Sequence, residues 1–217
     1  MEVNTLKLTQ EHFDSDGWYI GEVDISLQPF DGHIEIASNL GTCRFKSRVW
    51  ALGSIRALAG SGIEAFLSIK SGGGIVAGEG IVAGTGIKAG NGIKAGHDIE
   101  AAWSIEAAWS IVSGGGIVAG WCIVAGTGIV AGEGIVAGED IVAGEDIVAG
   151  WGIKAKTELK VGFRIFAGIS RWTKTPTADQ LKIECGALVS GEVCYGNLVE
   201  TGLPVGSVPE IVGGNTK

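Results

Sequence analysis

Residues 123–149 read IVAGTGIVAGEGIVAGEDIVAGEDIVA, and this stretch decides the fold. An aliphatic residue recurs at every sixth position from Ile63 to Ile165 without an insertion, which gives 18 such positions. The commonest unit is Ile-Val-Ala-Gly-x-Gly. A short repeat of fixed length is typical of a solenoid, in which each unit packs only on its neighbours.

Each repeat unit divides into a strand and a corner. Because side chains alternate along a strand, we expect Ile75 and Ala77 to face inward and Val76 outward. The next three residues, Gly78-Glu79-Gly80, end the strand, since glycine adopts tight corner conformations without strain. Three strand residues and three corner residues form one side, so three units close a triangular coil of 18 residues. The sequence therefore predicts an all-β fold, a triangular β-solenoid of about six regular coils with β caps at both ends.

The run Ala77-Gly78-Glu79-Gly80-Ile81 resembles the hexapeptide-repeat left-handed β-helix proteins. Those proteins place an aliphatic and a small residue inside each face and often have glycine at the corner. Here the large and small inward positions are exchanged, and the resemblance covers about half of the chain. It implies a left-handed coil. It also implies acyltransferase activity as one function, because many members use a histidine as general base in a cleft between the subunits of a trimer.

The flanking segments depart from the repeat. Residues 1–42 contain short alternating runs and are interpreted as an N-terminal β cap. The solenoid is assigned to residues 43–170, with a degenerate start at Cys43, Val49 and Ile55 and a two-residue slip between Leu58 and Gly62. Residues 171–217 are interpreted as a C-terminal hairpin or irregular coil followed by a tail.

Composition limits the function. The net charge of −8 argues against direct binding of nucleic acid or of anionic membranes. No long apolar run predicts a membrane span, and the N-terminus lacks the pattern of a signal peptide, so a cytoplasmic location is expected. For a phage- or plasmid-encoded protein this would be the host cytoplasm. The four cysteines have no spacing typical of zinc sites, and we expect neither a metal nor a cofactor.

Stacking by 18 residues predicts which corner residues are neighbours. Trp103 and Trp121 should lie one above the other, with Thr85 below and Glu139 above. No lysine or arginine occurs between Lys94 and Lys154, although that span holds eight carboxylates. Exposed tryptophans are enriched at binding hot spots, and an acidic band favours a basic partner. The candidate partner-binding residues are Trp103, Trp109, Trp121, Trp151, Glu133, Glu139, Asp140, Glu145 and Asp146.

One outward column is apolar. It contains Val112, Val130, Val148 and Phe166, on a face that a monomeric solenoid usually keeps polar. Contiguous exposed apolar residues mark partner surfaces, so this column predicts a homo-oligomer. The alternatives are that valine is present for its strand propensity, or that the flanking segments cover it.

These observations favour a non-enzymatic β-solenoid that acts through protein–protein contacts. Its partner would be a basic or nucleic-acid-binding protein, and the acidic rod would inhibit that protein by competing for its nucleic-acid-binding surface. The first alternative is a hexapeptide-type acyltransferase that uses acyl-CoA, with His97 as base. However, the unbroken repeat leaves no loop to form an acyl-donor pocket. The second alternative is a structural protein that forms polymers.

Overall fold

The structure is a computed structural model that describes residues 4–23, 25, 27–170 and 173–202. In each regular strand the first and third residues are buried and the middle residue is more exposed, as the repeat predicts. A single turn of 3-10 helix spans Gln10–His12. The strands are β1 (Thr5–Leu8), β2 (His33–Ile36), β3 (Gly41–Phe45), β4 (Val49–Ala51), β5 (Ile55–Ala57), β6 (Ser61–Ala65), β7 (Ile69–Ser71), β8 (Ile75–Ala77), β9 (Ile81–Ala83), β10 (Ile87–Ala89), β11 (Ile93–Ala95), β12 (Ile99–Ala101), β13 (Ile105–Ala107), β14 (Ile111–Ser113), β15 (Ile117–Ala119), β16 (Ile123–Ala125), β17 (Ile129–Ala131), β18 (Ile135–Ala137), β19 (Ile141–Ala143), β20 (Ile147–Ala149), β21 (Ile153–Ala155), β22 (Glu158–Ala167), β23 (Lys182–Cys185), β24 (Ala187–Tyr195) and β25 (Asn197–Glu200).

Parallel strands from successive coils stack into three faces. Face A consists of β1, β2, β5, β8, β11, β14, β17, β20 and the end of β22. Face B consists of β4, β7, β10, β13, β16, β19 and the start of β22. Face C consists of β3, β6, β9, β12, β15, β18, β21, β23 and β25. The chain passes through the faces in the order C, B, A, and we name the corners CB, BA and AC after the faces they join.

The register confirms the predicted β-solenoid. Ile99 pairs with Ile81 below and with Ile117 above, each 18 residues away in the chain. The inward isoleucines and alanines are fully or almost fully buried and form one continuous core. Each coil thus buries its apolar side chains against the coils above and below it, which is the main source of stability in a solenoid. The left hand of the coil stays a prediction.

The number of coils differs from the prediction. The solenoid has about nine turns with a spacing of about 18 residues, whereas the unbroken repeat predicts about six. The extra turns come from both ends, where the spacing is irregular. Ile34 pairs with Ile55, 21 residues later, and Ile153 pairs with Ile183, 30 residues later. These strands stack in parallel on the regular coils, but insertions in the corners hide their period in the sequence.

The predicted two-residue slip between Leu58 and Gly62 is confirmed. Cys43 pairs with Ile63, 20 residues later, whereas the following coils keep the spacing of 18. The longer corner contains Gly60 at a φ of +71°, which glycine adopts without strain. Ser61 is buried below it and donates from Oγ to the Ala37 carbonyl at 2.7 Å. The hydroxyl therefore ties this corner to the coil below.

The two ends of the solenoid are closed differently. At the N-terminal end the rings of Phe13, Tyr19 and Phe45 contact one another, with centroids 5.4–5.9 Å apart. At the C-terminal end Leu198 occupies the inward position above Ile183 but is 39% exposed. The N-terminal end is thus sealed by aromatic side chains, and the last described coil leaves part of the core accessible.

Candidate protein-binding surface

The CB corner stacks three of the predicted binding residues, Trp103, Trp121 and Glu139, on one another. The backbone N–H of Trp103 donates to the Thr85 carbonyl, that of Trp121 to the Trp103 carbonyl, and that of Glu139 to the Trp121 carbonyl, at 2.9–3.0 Å. The two indole rings stack with centroids 5.7 Å apart and planes 13° apart. Each tryptophan is nevertheless more than half exposed. The predicted vertical order is confirmed, and the result is a tryptophan ladder that shows its edges to solvent.

The other two tryptophans lie at different corners. Trp109 is at the BA corner of the same coil as Trp103, so face B has an indole at each side of β13. Trp109 is 61% exposed. Trp151 lies at the AC corner, where its N–H donates to the Glu133 carbonyl. The four tryptophans therefore do not form one patch, although three of them border face B.

Two of the predicted acidic residues serve the fold. Asp140 Oδ1 accepts the Glu158 N–H at 3.0 Å, and the Thr157 hydroxyl also donates to it. Asp146 Oδ1 accepts the Arg164 N–H at 3.0 Å. In each case the backbone donor lies 18 residues later, at the same corner of the next coil. These aspartates satisfy backbone donors of the coil above, a role that the sequence analysis did not assign.

Asp98 repeats this arrangement at the AC corner. Its Oδ1 accepts the Gly116 N–H at 2.7 Å. A Cβ at Gly115 would lie 2.2 Å from Asp98 Oδ1, so this carboxylate leaves no room for a side chain there in its present position. The Asp98 carboxylate thus favours glycine at position 115, whereas Asp140 and Asp146 bond to the coil above with Thr157 and Phe163 at the equivalent position.

The three predicted glutamates are different. Glu133, Glu139 and Glu145 are exposed, one at each corner, and make no side-chain hydrogen bond or ion pair within the described ranges. The ion pairs closest along the axis are Lys88 with Glu106 below and Arg164 with Asp146 above, at 2.7 and 2.8 Å. The exposed glutamates thus form a band of charge that no described residue neutralises.

The ion pair between Asp146 and Arg164 predicts how the stability of the upper coils changes at acid pH. The hydrogen bond from the Arg164 guanidinium lowers the pKa of Asp146 below its ordinary value. A lowered folded-state pKa means that the pair stabilises the fold above the unfolded pKa of about 3.9, and that this contribution is lost as the pH falls below that range. We expect Asp146→Asn to make stability less dependent on pH between about 4 and 2. Urea unfolding at several pH values checks this, with Asp16→Asn as control, and equal pH profiles for wild type and Asp146→Asn would contradict it.

The predicted oligomer face has the expected register. Val112 pairs with Val130, Val130 with Val148, and Val148 with Phe166. Tyr195 continues the column above Phe166. Val130 is 40% exposed, and the Arg164 guanidinium lies over the Phe166 ring at 5.7 Å. The apolar column exists on face A, and its use as an oligomer contact stays a prediction.

His97 lies at the AC corner with its side chain largely exposed. Its Nδ1 is 2.8 Å from Glu79 Oε2, one coil below. A carboxylate in this position orients an imidazole, as a general base requires. The strands from β6 to β21 follow one another without a protruding loop, so no element among the described residues encloses the ring.

Face B carries two concave regions that the sequence analysis missed. One, of about 360 Å³, lies between the tryptophan ladder and the column Lys70, Lys88 and Glu106. The other, of about 470 Å³, lies on the far side of the same column and reaches Trp50 and Leu52. The stacking order could have predicted these concave regions. Long charged side chains stack in one column, and small alanines lie next to that column.

The cysteines and acidic groups give little sign of reactive or metal-binding chemistry. Burial raises the pKa of the Cys43 thiol to about 11, so this thiol stays protonated at neutral pH. Cys185 is also buried, whereas Cys194 is exposed. In the part of the chain that the structure describes, no three histidine, cysteine or carboxylate side chains are placed to hold a metal ion. Nor does any helix there have the length and apolarity needed to cross a membrane.

Comparisons with known proteins assign no family to this solenoid. No protein-family model, curated protein or solved structure matches the chain. The surface chemistry of the solenoid is therefore the basis for inferring its function.

Proposed function

We propose that this chain is a non-enzymatic binding protein of the cytoplasm that recognises a basic protein surface. The observation that carries the proposal is the band of exposed glutamates, Glu133, Glu139 and Glu145, within a span that holds no lysine or arginine. Carboxylates without a partner raise the local negative potential and attract cationic surfaces. Since the three glutamates lie on three corners, the band surrounds the rod.

The shape of the rod supports an inhibitory role. A triangular coil with sides of about 20 Å, from six residues at ~3.3 Å each, is similar in width to a nucleic-acid duplex. A rigid acidic rod of that width fits a groove that binds the phosphate backbone. We therefore infer competition with nucleic acid for a basic protein, with Trp151 beside Glu133 supplying apolar contact.

The test uses proteins from a nuclease-treated lysate that are retained on double-stranded DNA. Immobilised wild-type chain should capture a subset of them, and added DNA should displace that subset. The variant Glu133→Gln/Glu139→Gln/Glu145→Gln should lose capture about tenfold or more at low salt, because the removed charges steer association. The matched control is Asp16→Asn/Glu22→Gln/Glu192→Gln, which removes the same charge outside the band. Equal capture by the two variants, or capture that DNA does not displace, would refute the proposal.

A second candidate is an acyltransferase, favoured by the contact between His97 and Glu79. This carboxylate would orient the imidazole for base catalysis. The candidate predicts that the chain binds acetyl-CoA and that His97→Ala abolishes acyl transfer. Calorimetric titration with acetyl-CoA, with Glu79→Gln as the positioning variant, tests it directly.

A further inference from the structure

The charges of the solenoid are separated along its axis. Residues 43–94 contain seven lysines and arginines and two carboxylates. Residues 95–153 contain eight carboxylates and no lysine or arginine. The boundary between the two halves lies between β10 and β13 on face B, where Lys88 pairs with Glu106. A rod with one basic and one acidic half is complementary to a second copy of itself in the opposite orientation.

We propose that two copies of this chain associate through face B in an antiparallel, two-fold arrangement. This inference rests on the proposed role in protein binding. It identifies a second copy of the chain as one partner of the CB corner, which contains Trp103 and Trp121. The two-fold axis would run parallel to the strands, between β10 and β13. It would place β10 against β13 of the second copy, β7 against β16, and β4 against β19. Because the axis follows the strand direction, the CB corner of one copy would meet the CB corner of the other.

At the centre of this interface lies an ion pair whose two groups can also contact the second copy. Lys88 Nζ lies 2.7 Å from Glu106 Oε2, and both side chains are substantially exposed. The two-fold places Lys88 opposite Glu106 of the second copy, and Glu106 opposite Lys88. The four groups then form a closed ring of alternating charge, which fixes the register of the two rods.

The apolar residues of the CB corner match under the same operation. The corner column is defined by backbone hydrogen bonds between successive residues. From the basic half to the acidic half it contains Ser47, Leu67, Thr85, Trp103, Trp121 and Glu139. Reversing it places Trp103 opposite Thr85 and Trp121 opposite Leu67. Every large ring thus meets a smaller side chain, as close packing requires.

Phe66 adds to this match. It is 70% exposed beside Leu67, and a phenylalanine ring in contact with solvent is unfavourable. The reversed column places Phe66 opposite Gly120, beside Trp121. The tryptophan ladder and Phe66 together would supply the apolar centre of the contact.

The ends of the interface are complementary in charge. Lys46 and Arg48 flank Ser47 at the basic end, and neither makes an ion pair with another described residue. The reversed column places Arg48 opposite Asp140 and Lys46 opposite Gly138, next to Glu139. Since the pairing occurs twice in a two-fold dimer, both ends of the interface are closed by opposite charges.

The available area is sufficient for a specific dimer. Six coils at ~4.8 Å and a side of about 20 Å give roughly 600 Å² for each copy, or about 1,200 Å² in total. That is the lower end of the range for specific interfaces. The two concave regions beside Lys70, Lys88 and Glu106 would receive the side chains of the second copy. Glu133 and Trp151 lie on the opposite corner and stay accessible to another partner.

The test combines analytical ultracentrifugation with zero-length carbodiimide cross-linking of the full chain. We expect a dimer of twice the 22.2 kDa chain mass. We also expect a cross-link between Lys46 and Glu139. These residues are five coils apart, ~24 Å within one chain, so a zero-length cross-link between them must join two copies. The cross-link between Lys88 and Glu106 serves as positive control. A monomer, or a dimer without the Lys46 to Glu139 cross-link, would overturn the proposal.

Charge reversal provides an independent measurement. Lys46→Glu alone and Glu139→Lys alone should each weaken the dimer about tenfold or more, because each places like charges next to one another at both ends. The chain with both changes should recover an affinity near that of wild type. Val130→Lys, on the apolar column of face A, should leave the dimer intact. Failure of the double variant to recover, or dissociation caused by Val130→Lys, would move the interface away from face B.

The outcomes separate the two proposals. A chain that is monomeric but still captures DNA-binding proteins through its glutamates excludes the dimer and keeps the proposed function. A dimer that has the expected cross-link but captures no such protein supports the dimer and excludes the proposed function.

Discussion

Replacing Ile117 with alanine is expected to lower the free energy of unfolding by about 2–5 kcal/mol, the usual range for removing a large aliphatic side chain from a core. Ile117 is fully buried, in the middle of a column between Ile99 below and Ile135 above. The coils are held by their own backbone ladder, so they cannot close over the cavity. Urea unfolding followed by circular dichroism measures the effect.

Val118 is the matched control, because it follows Ile117 in the same strand but points outward and is 42% exposed. Val118→Ala also shortens an aliphatic side chain, but one that faces solvent, and it should change stability by less than about 1 kcal/mol. Equal losses for the two variants would mean that the outward face is covered in solution. A second unfolding transition in Ile117→Ala would show that the coils above and below the cavity unfold separately.

The regular coils could be predicted from sequence because their information is local. Ile75, Val76 and Ala77 occupy inward, outward and inward positions, the other regular units repeat this order, and glycine marks most corners. A fixed period then determines the register without knowledge of any distant contact. The same arithmetic correctly placed Trp121 above Trp103, since a column in a solenoid is simply a sequence spacing.

The end coils could not be counted in this way. Ile34 is as deeply buried as Ile99, but an insertion separates it from the next inward residue of face A. The corner that follows β2 contains Asn39 at a φ of +60°. No repeat in the sequence predicts a corner with this conformation here. Once the spacing is irregular, only the parallel pairing of strands shows that these residues continue the coil.

The corners that hold the candidate residues could be predicted, but the structural roles of Asp140 and Asp146 could not. Charge alone did not distinguish Asp140 from Glu139, its neighbour in the chain. The structure does, because the short aspartate side chain reaches the N–H of Glu158 in the coil above, whereas the longer glutamate extends into solvent. The sequence carries a usable signal here, since the aspartates occupy the sixth position of the repeat and the exposed glutamates the fifth.

Trp103→Ala combined with Trp121→Ala is expected to weaken association of the two copies about 100-fold or more, the range for removing two central aromatic hot spots. The rings already stack on each other at 5.7 Å, so they lose little conformational freedom when a partner covers their exposed edges. The fold should persist, because both side chains lie outside the core. Sedimentation equilibrium measures the dimer, and far-ultraviolet circular dichroism checks the fold.

Trp151→Ala is the matched control, because this tryptophan is also at a corner but faces away from face B. It should leave the dimer unchanged and reduce only the capture of the basic partner. If Trp151→Ala and the double variant weaken self-association equally, the contact depends on general surface hydrophobicity rather than on the tryptophan ladder. If the double variant dimerises as well as wild type, the tryptophans do not contact Leu67 and Phe66 of the second copy. That result would contradict the antiparallel arrangement.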